Sequence, residues 1–76
     1  MNKIRRERIE AAKSALESLS EEIESIRDDE QAYYDNIPDN LQSSARAETS
    51  EAAVEALDSV IDSIAEAVSS LEEAAG

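Results

Sequence analysis

Two apolar stripes, each repeating every three and four residues and separated by one break near residue 40, constrain this chain more than any other feature. In the first, Ile9, Ala12, Leu16, Leu19, Ile23, Ile26 and Tyr33 fill seven of eight consecutive a and d heptad positions; the miss is Glu30. In the second, Val54, Leu57, Ile61, Ile64, Val68, Leu71 and Ala75 fill seven in succession. Pairing residues whose numbers sum to 80 sets Ile9 against Leu71, Ala12 against Val68, Leu16 against Ile64, Leu19 against Ile61, Ile23 against Leu57 and Ile26 against Val54. One antiparallel register therefore satisfies both stripes. The fold class predicted is all-α: a two-helix antiparallel hairpin, a short coiled coil, that dimerises into a four-helix bundle.

Local chemistry sets the boundaries of a single hairpin over residues 1–76, with helix 1 over about 2–36, the turn over about 37–43 and helix 2 over about 44–75. Asn2 can cap the first helix, and nothing breaks it before Ile37, which Pro38 pushes out of the α region. About 33 residues at 1.5 Å each make a rod of roughly 50 Å. Asn36-Ile37-Pro38-Asp39-Asn40 holds the only proline among turn-forming neighbours and reads as the tip. Ser43, Ser44, Thr49 and Ser50 could each cap the second helix, and Ser43 or Ser44 gives arms of matched length.

A chain of 76 residues with no cysteine and no histidine lacks disulfides and the usual metal ligands, so self-association is the remaining common way to stabilise it. The second stripe carries surplus apolar width for this purpose. Ala53, Val60, Ala67 and Ala74 lie one position before the a residues, and Ala65 adds to the other flank. Ala11, Ala15 and Ala32 give the first helix a smaller excess. A homodimer seam through Ala53, Val60, Ala67 and Ile64 is expected, with a heterologous partner laid in the same groove as the competing occupant.

The formal charge is −12, and it is unevenly placed. Residues 1–13 carry five cations against two carboxylates, a local +3, which leaves −15 on the rest. In the hairpin register the basic N-terminus falls beside Glu72, Glu73 and the negative end of the second helix dipole. That gives the cations an intramolecular purpose, and the surrounding −15 argues against direct binding of nucleic acid. Glu17, Glu21, Glu24 and Asp28 form one carboxylate stripe; Glu51, Glu55, Asp58, Asp62 and Glu66 form another. Such stripes solubilise helices, and rows of carboxylates about 5.4 Å apart can also imitate a phosphate backbone. No catalytic, cofactor-binding or metal-ligating residue is assigned. Di-metal bundles need Glu-x-x-His motifs facing inward, and general acid–base or nucleophilic work needs a tuned group in a pocket. The chain is accordingly read as no enzyme, with no cofactor and no small-molecule substrate.

Tyr33 and Tyr34, the only aromatics, sit at the tip beside Asp35 and Asp39. Either they anchor a partner, each offering a rigid surface and a hydroxyl, or Tyr33 closes the last core layer over Ala47 while Tyr34 packs under Ile37 or Leu41. Both hold if Tyr33 faces inward and Tyr34 outward.

The run Asp28-Asp29-Glu30-Gln31-Ala32-Tyr33-Tyr34-Asp35-Asn36-Ile37-Pro38-Asp39-Asn40-Leu41-Gln42 resembles a group of small acidic proteins of bacteriophages, prophages and other mobile elements. In that group an acidic helix ends in an aromatic-Asp-Asn-Met-Pro-Glu-Asn-Leu-Gln-like turn and a second helix rich in Glu, Ala, Ile and Leu follows. Ile37 and Asp39 stand here in place of the more usual Met and Glu. The turn carries the likeness, whereas the helices match by composition only. The resemblance implies a mobile-element origin and a helical hairpin.

The function expected is that of a small acidic protein–protein interaction module. It would act as a phage or mobile-element accessory factor that binds a host or phage protein with a basic surface, as an inhibitor or DNA mimic, through Tyr34, Asp35 and Asp39 at the tip and Glu17, Glu21, Glu24, Asp28, Glu55, Asp58, Asp62 and Glu66 of the stripes. The alternative is a structural or assembly component acting through self-association or a phage protein. A third possibility, attachment to an anionic membrane through the basic end, conflicts with the net charge. Cysteine-free composition and a charged helix directly after Met1 point to the cytoplasm of the bacterial host cell, and no apolar run approaches the roughly 20 residues of a membrane span.

Overall fold

A computed structural model describes residues 1–42 and 44–76 and places them in two long α-helices with a one-turn 3-10 segment between them. Helix α1 spans Lys3–Asp35 and helix α2 spans Ala45–Ala75; no strand occurs among the described residues. The helices pack along their whole length as a hairpin 59 Å long and 15 × 12 Å across. No helix is long and apolar enough to cross a membrane.

The ends of both helices follow from their sequences. Asn2 accepts the Arg5 backbone N–H through its side-chain Oδ1 at 2.8 Å, which satisfies one of the orphan donors of the first turn. At the other end of α1, the Asn36 N–H bonds back to Ala32 O and Tyr33 O and the Ile37 N–H to Tyr34 O, after which Pro38 offers no donor. Asp39–Leu41 then forms the 3-10 turn, closed by Leu41 N–H to Pro38 O at 2.8 Å, and the Gln42 side-chain amide donates to Ile37 O at 2.9 Å. Ile37 is buried beneath this turn. Ser44 caps α2, its hydroxyl accepting from the Ala47 N–H at 3.3 Å. Of the two serines expected for this role, Ser43 lies outside the described residues.

The antiparallel register holds, but α1 is rotated relative to the a/d expectation. The residues of α1 that turn toward α2 are Ile9, Leu16, Ile23 and Glu30 together with Lys13, Ser20, Arg27 and Tyr34, four residues beyond each of the first set. Ala12, Leu19, Ile26 and Tyr33, expected in the seam, stay outside it: Leu19, Ile26 and Tyr33 remain 48%, 49% and 45% exposed. One partner helix can cover only one side of a stripe. Centring α2 between the a and e lines lets Lys13 and Arg27 lay their methylenes on the seam and reach its carboxylates, a geometry that long cationic side chains favour.

The polar miss at Glu30 is accommodated by its pairing partner. Ser50, the residue opposite it in the register, is 1% exposed, and its hydroxyl points at Glu30 O at a long 3.4 Å. A larger side chain there would displace the backbone of α1. Ala47, nearer the tip, is fully buried as well. Ile37, Ala47 and Ile64 are the buried apolar residues among those described, a small core for a chain of this length.

Candidate functional site

The rotation of α1 gives the hairpin two unlike broad faces. Two ion pairs mark the first of them. Lys13 Nζ lies 3.3 Å from Glu72 Oε1, and Arg27 donates through Nη1 to Asp58 Oδ1 at 3.0 Å while its Nε and Nη2 hold Asp28 Oδ1. Lys13 and Arg27 stand two heptads apart, as do Asp58 and Glu72, so the bridges repeat one antiparallel register. Hydrogen bonding to Glu72, then the charges of Glu10 and Glu72, raise the Lys13 pKa above its ordinary value. Hydrogen bonds to Asp58 and Asp28 raise that of Arg27. Both bridges are solvent-accessible and of modest worth singly.

Glu10 also lies within ion-pair distance of Lys13, at 3.9 Å, and the other carboxylates of this face line its grooves. Glu17, Glu21 and Glu24 border a groove whose floor is Ile64, Ala65 and Val68. Glu51 and Glu55 border another with Tyr34, Gln31 and Val54. All five are exposed, as is Asp62 at the outer flank, and among the described residues none lies within ion-pair distance of a cation. Glu66 sits at the far margin of the α2 stripe. Asp28 and Asp58 are partly neutralised by Arg27. The Gln31 side-chain amide holds Asp35 at 3.0 Å, and Asp39 is exposed in the 3-10 turn. The residues proposed from sequence thus fall into a long stripe pair, with Tyr34, Asp35 and Asp39 at its tip end. No group of three carboxylates among the described residues is arranged to hold a metal ion.

The two tyrosines exchange the places expected of them. Tyr34 is the half-buried one, packed toward Val54, whereas Tyr33 opens outward into a groove with Ile37, Pro38, Leu41 and Arg46. The same turn of α1 that carries Leu19 and Ile26 out of the seam carries Tyr33 with them.

The second face is apolar through its middle. On α1 it is lined by Ala12, Leu19, Ile26 and Tyr33; on α2 by Ala53, Val60, Ala67 and Ala74, with Val60 41% exposed. Grooves at its two ends bring the α1 line beside α2: Tyr33 adjoins Arg46 and Thr49 at the tip, and Ala12 adjoins Leu71 near the termini. Ile64, expected at an oligomer seam, is instead 9% exposed inside the hairpin. It faces Lys13, Glu17 and Ser20. The basic end also departs from expectation. Among the described residues Lys13 alone of the N-terminal cations pairs with a carboxylate of α2; Lys3 pairs with Glu7 on its own helix, and Arg5, Arg6 and Arg8 make no ion pair.

Sequence reasoning missed Lys13, Arg27 and Ser50 as seam residues. The signal was present: two cations and two carboxylates at equal fourteen-residue spacing on the two arms, and a small polar residue opposite the one polar break. Comparison with protein-family models, with curated proteins and with solved structures finds no match to this chain.

Proposed function

We propose that this chain is a small acidic protein–protein interaction module, a phage or mobile-element accessory factor that acts in the bacterial cytoplasm by binding a protein with a basic surface. The observation that carries this function is the separation of charge between the faces. Lys13 and Arg27, the cations of the carboxylate face, are held by carboxylates of their own chain, so Glu17, Glu21, Glu24, Glu51, Glu55 and Asp62 stay available to an outside cationic surface. Charges in rows along a rod steer encounter and make binding fall with salt. A partner that ordinarily binds nucleic acid is the natural match, and the chain then competes with DNA for it.

The uncovered apolar face completes the proposal. Small side chains on α2 and half-exposed aliphatic ones on α1 favour a homodimer in which two hairpins form a four-helix bundle, leaving a carboxylate face on each outer side.

The test is capture from bacterial lysate by the protein and by a variant with Glu17, Glu21, Glu24, Glu51 and Glu55 changed to Gln. We expect a bound protein that is released between about 0.1 M and about 1 M salt, as the screening length falls from about 10 Å to about 3 Å. It should be displaced by duplex DNA and should not bind the variant. Equal retention by the Gln variant refutes the proposal.

A further inference from the structure

We infer that the apolar face is occupied by a second copy of this chain lying in the opposite direction, with the two-fold axis crossing the rod at Leu19 and Val60. This rests on the self-association proposed above and specifies how the copies meet.

The first support is the placement of residues along the face. The α1 line runs Arg5, Ala12, Leu19, Ile26, Tyr33 at heptad steps, and Leu19 is the midpoint of Lys3–Asp35. The α2 line runs Arg46, Ala53, Val60, Ala67, Ala74, and Val60 is the midpoint of Ala45–Ala75. In the hairpin register Leu19 lies level with residue 61, so one axis serves both helices. Reversing a copy about it sets Leu19 on Leu19, Val60 on Val60, Ala53 on Ala67, and the small Ala12 against the larger Ile26. Self-complementary packing of one patch on itself is what a two-fold interface requires.

Charge supplies the second support. The flank of this face on α1 carries Arg8 toward the termini and Asp29 toward the tip, both exposed. The reversed copy brings Arg8 of each chain beside Asp29 of the other, and Arg5 over the ring of Tyr33, a favourable cation–aromatic pairing. Copies with their tips at the same end would instead set Arg8 over Glu73 but lay Asp29 and Glu22 over the uncharged Ala52 and Ser59, so that Asp29 loses its cation. Size is the third support. The hairpin is 59 Å long and 15 Å across, so one side of it is on the order of the roughly 800 Å² per copy that a standard stable interface buries.

The chain has no cysteine, so single introduced thiols report geometry cleanly. Under mild oxidation Leu19→Cys alone and Val60→Cys alone should each give a covalent dimer. Arg5→Cys should link to Tyr33→Cys when the two variants are mixed, but not to itself. Sedimentation should show a dimer whose association constant falls about tenfold at low salt in Arg8→Glu and recovers in Arg8→Glu/Asp29→Arg. A monomer at all concentrations overturns self-association and this arrangement together, without bearing on the carboxylate face. A dimer in which Leu19→Cys links only to Val60→Cys overturns the reversed arrangement alone.

Discussion

Replacing Ile64 by Ala removes the large aliphatic side chain buried deepest in the helix seam, and its effect can be worked from the structure. At 9% exposure nearly all of the side chain is out of water, and truncating a buried Ile to Ala costs about 2–5 kcal/mol. Two features move this site to the lower end. The surrounding groove is open to solvent at Glu17 and Lys13, so the seam can partly close over the gap, and Ala is the better helix former by a few tenths of a kcal/mol. We expect a loss of about 2 kcal/mol. For a chain of this size that lowers the melting temperature by about 8–16 °C, measured by helical circular dichroism at fixed protein concentration. Ile64→Asp, which leaves a charge in the seam without a partner, should abolish the cooperative transition. Ile4→Ala is the control, since Ile4 is 69% exposed near the N-terminus and should change stability by less than about 0.5 kcal/mol. A fall of under about 3 °C for Ile64→Ala, or equal effects at Ile4 and Ile64, would refute the seam as described.

Ser50→Leu should destabilise by about 1–3 kcal/mol, because Ser50 lies beneath the α1 backbone at Glu30 with no room for a larger group; a melting temperature at or above that of the parent contradicts this. With a net charge of −12, added salt should raise the melting temperature up to physiological strength by screening like charges, and a fall would mean that the Lys13 and Arg27 bridges outweigh the repulsion. The raised pKa of Lys13 makes its contribution complete below the unfolded value of 10.5 and lost as pH climbs through the higher folded value. The melting-temperature gap between the parent and Lys13→Gln should therefore hold up to about pH 10 and narrow above 10.5, and a gap that widens there reverses the assignment.

The hairpin was legible because its determinants are local or periodic. Asn2 and Ser44 cap where short polar side chains before apolar runs should, Pro38 ends α1 for want of a donor, and the stripes admit one antiparallel register. The rotation of α1 was not legible from apolar spacing, because Ile9, Leu16 and Ile23 lie between the apolar line of Leu19 and Ile26 on one side and the cationic line of Lys13 and Arg27 on the other. Hydrophobicity alone places the partner helix on the first side. What apolar spacing does not carry is a tertiary feature: with α2 on the second side, Lys13 and Arg27 meet Glu72 and Asp58 across the seam. The exchange of Tyr33 and Tyr34 follows from that one displacement, whereas Ile64 lies inside the hairpin as its pairing with Leu16 requires. For the carboxylate stripes, sequence placed the residues correctly on the helices but could not tell which were already engaged, because Asp58 and Asp28 differ from Glu55 and Glu24 only in their distance from Arg27.

The most direct test of a chain folded back on itself is Förster transfer between dyes at residues 10 and 73, in doubly labelled protein diluted with unlabelled chains so that only transfer within one chain is read. Packed antiparallel helices lie about 8–10 Å apart, so transfer should be nearly complete. A single unbroken helix would separate the dyes by about 95 Å at 1.5 Å per residue, and transfer near zero would contradict the account.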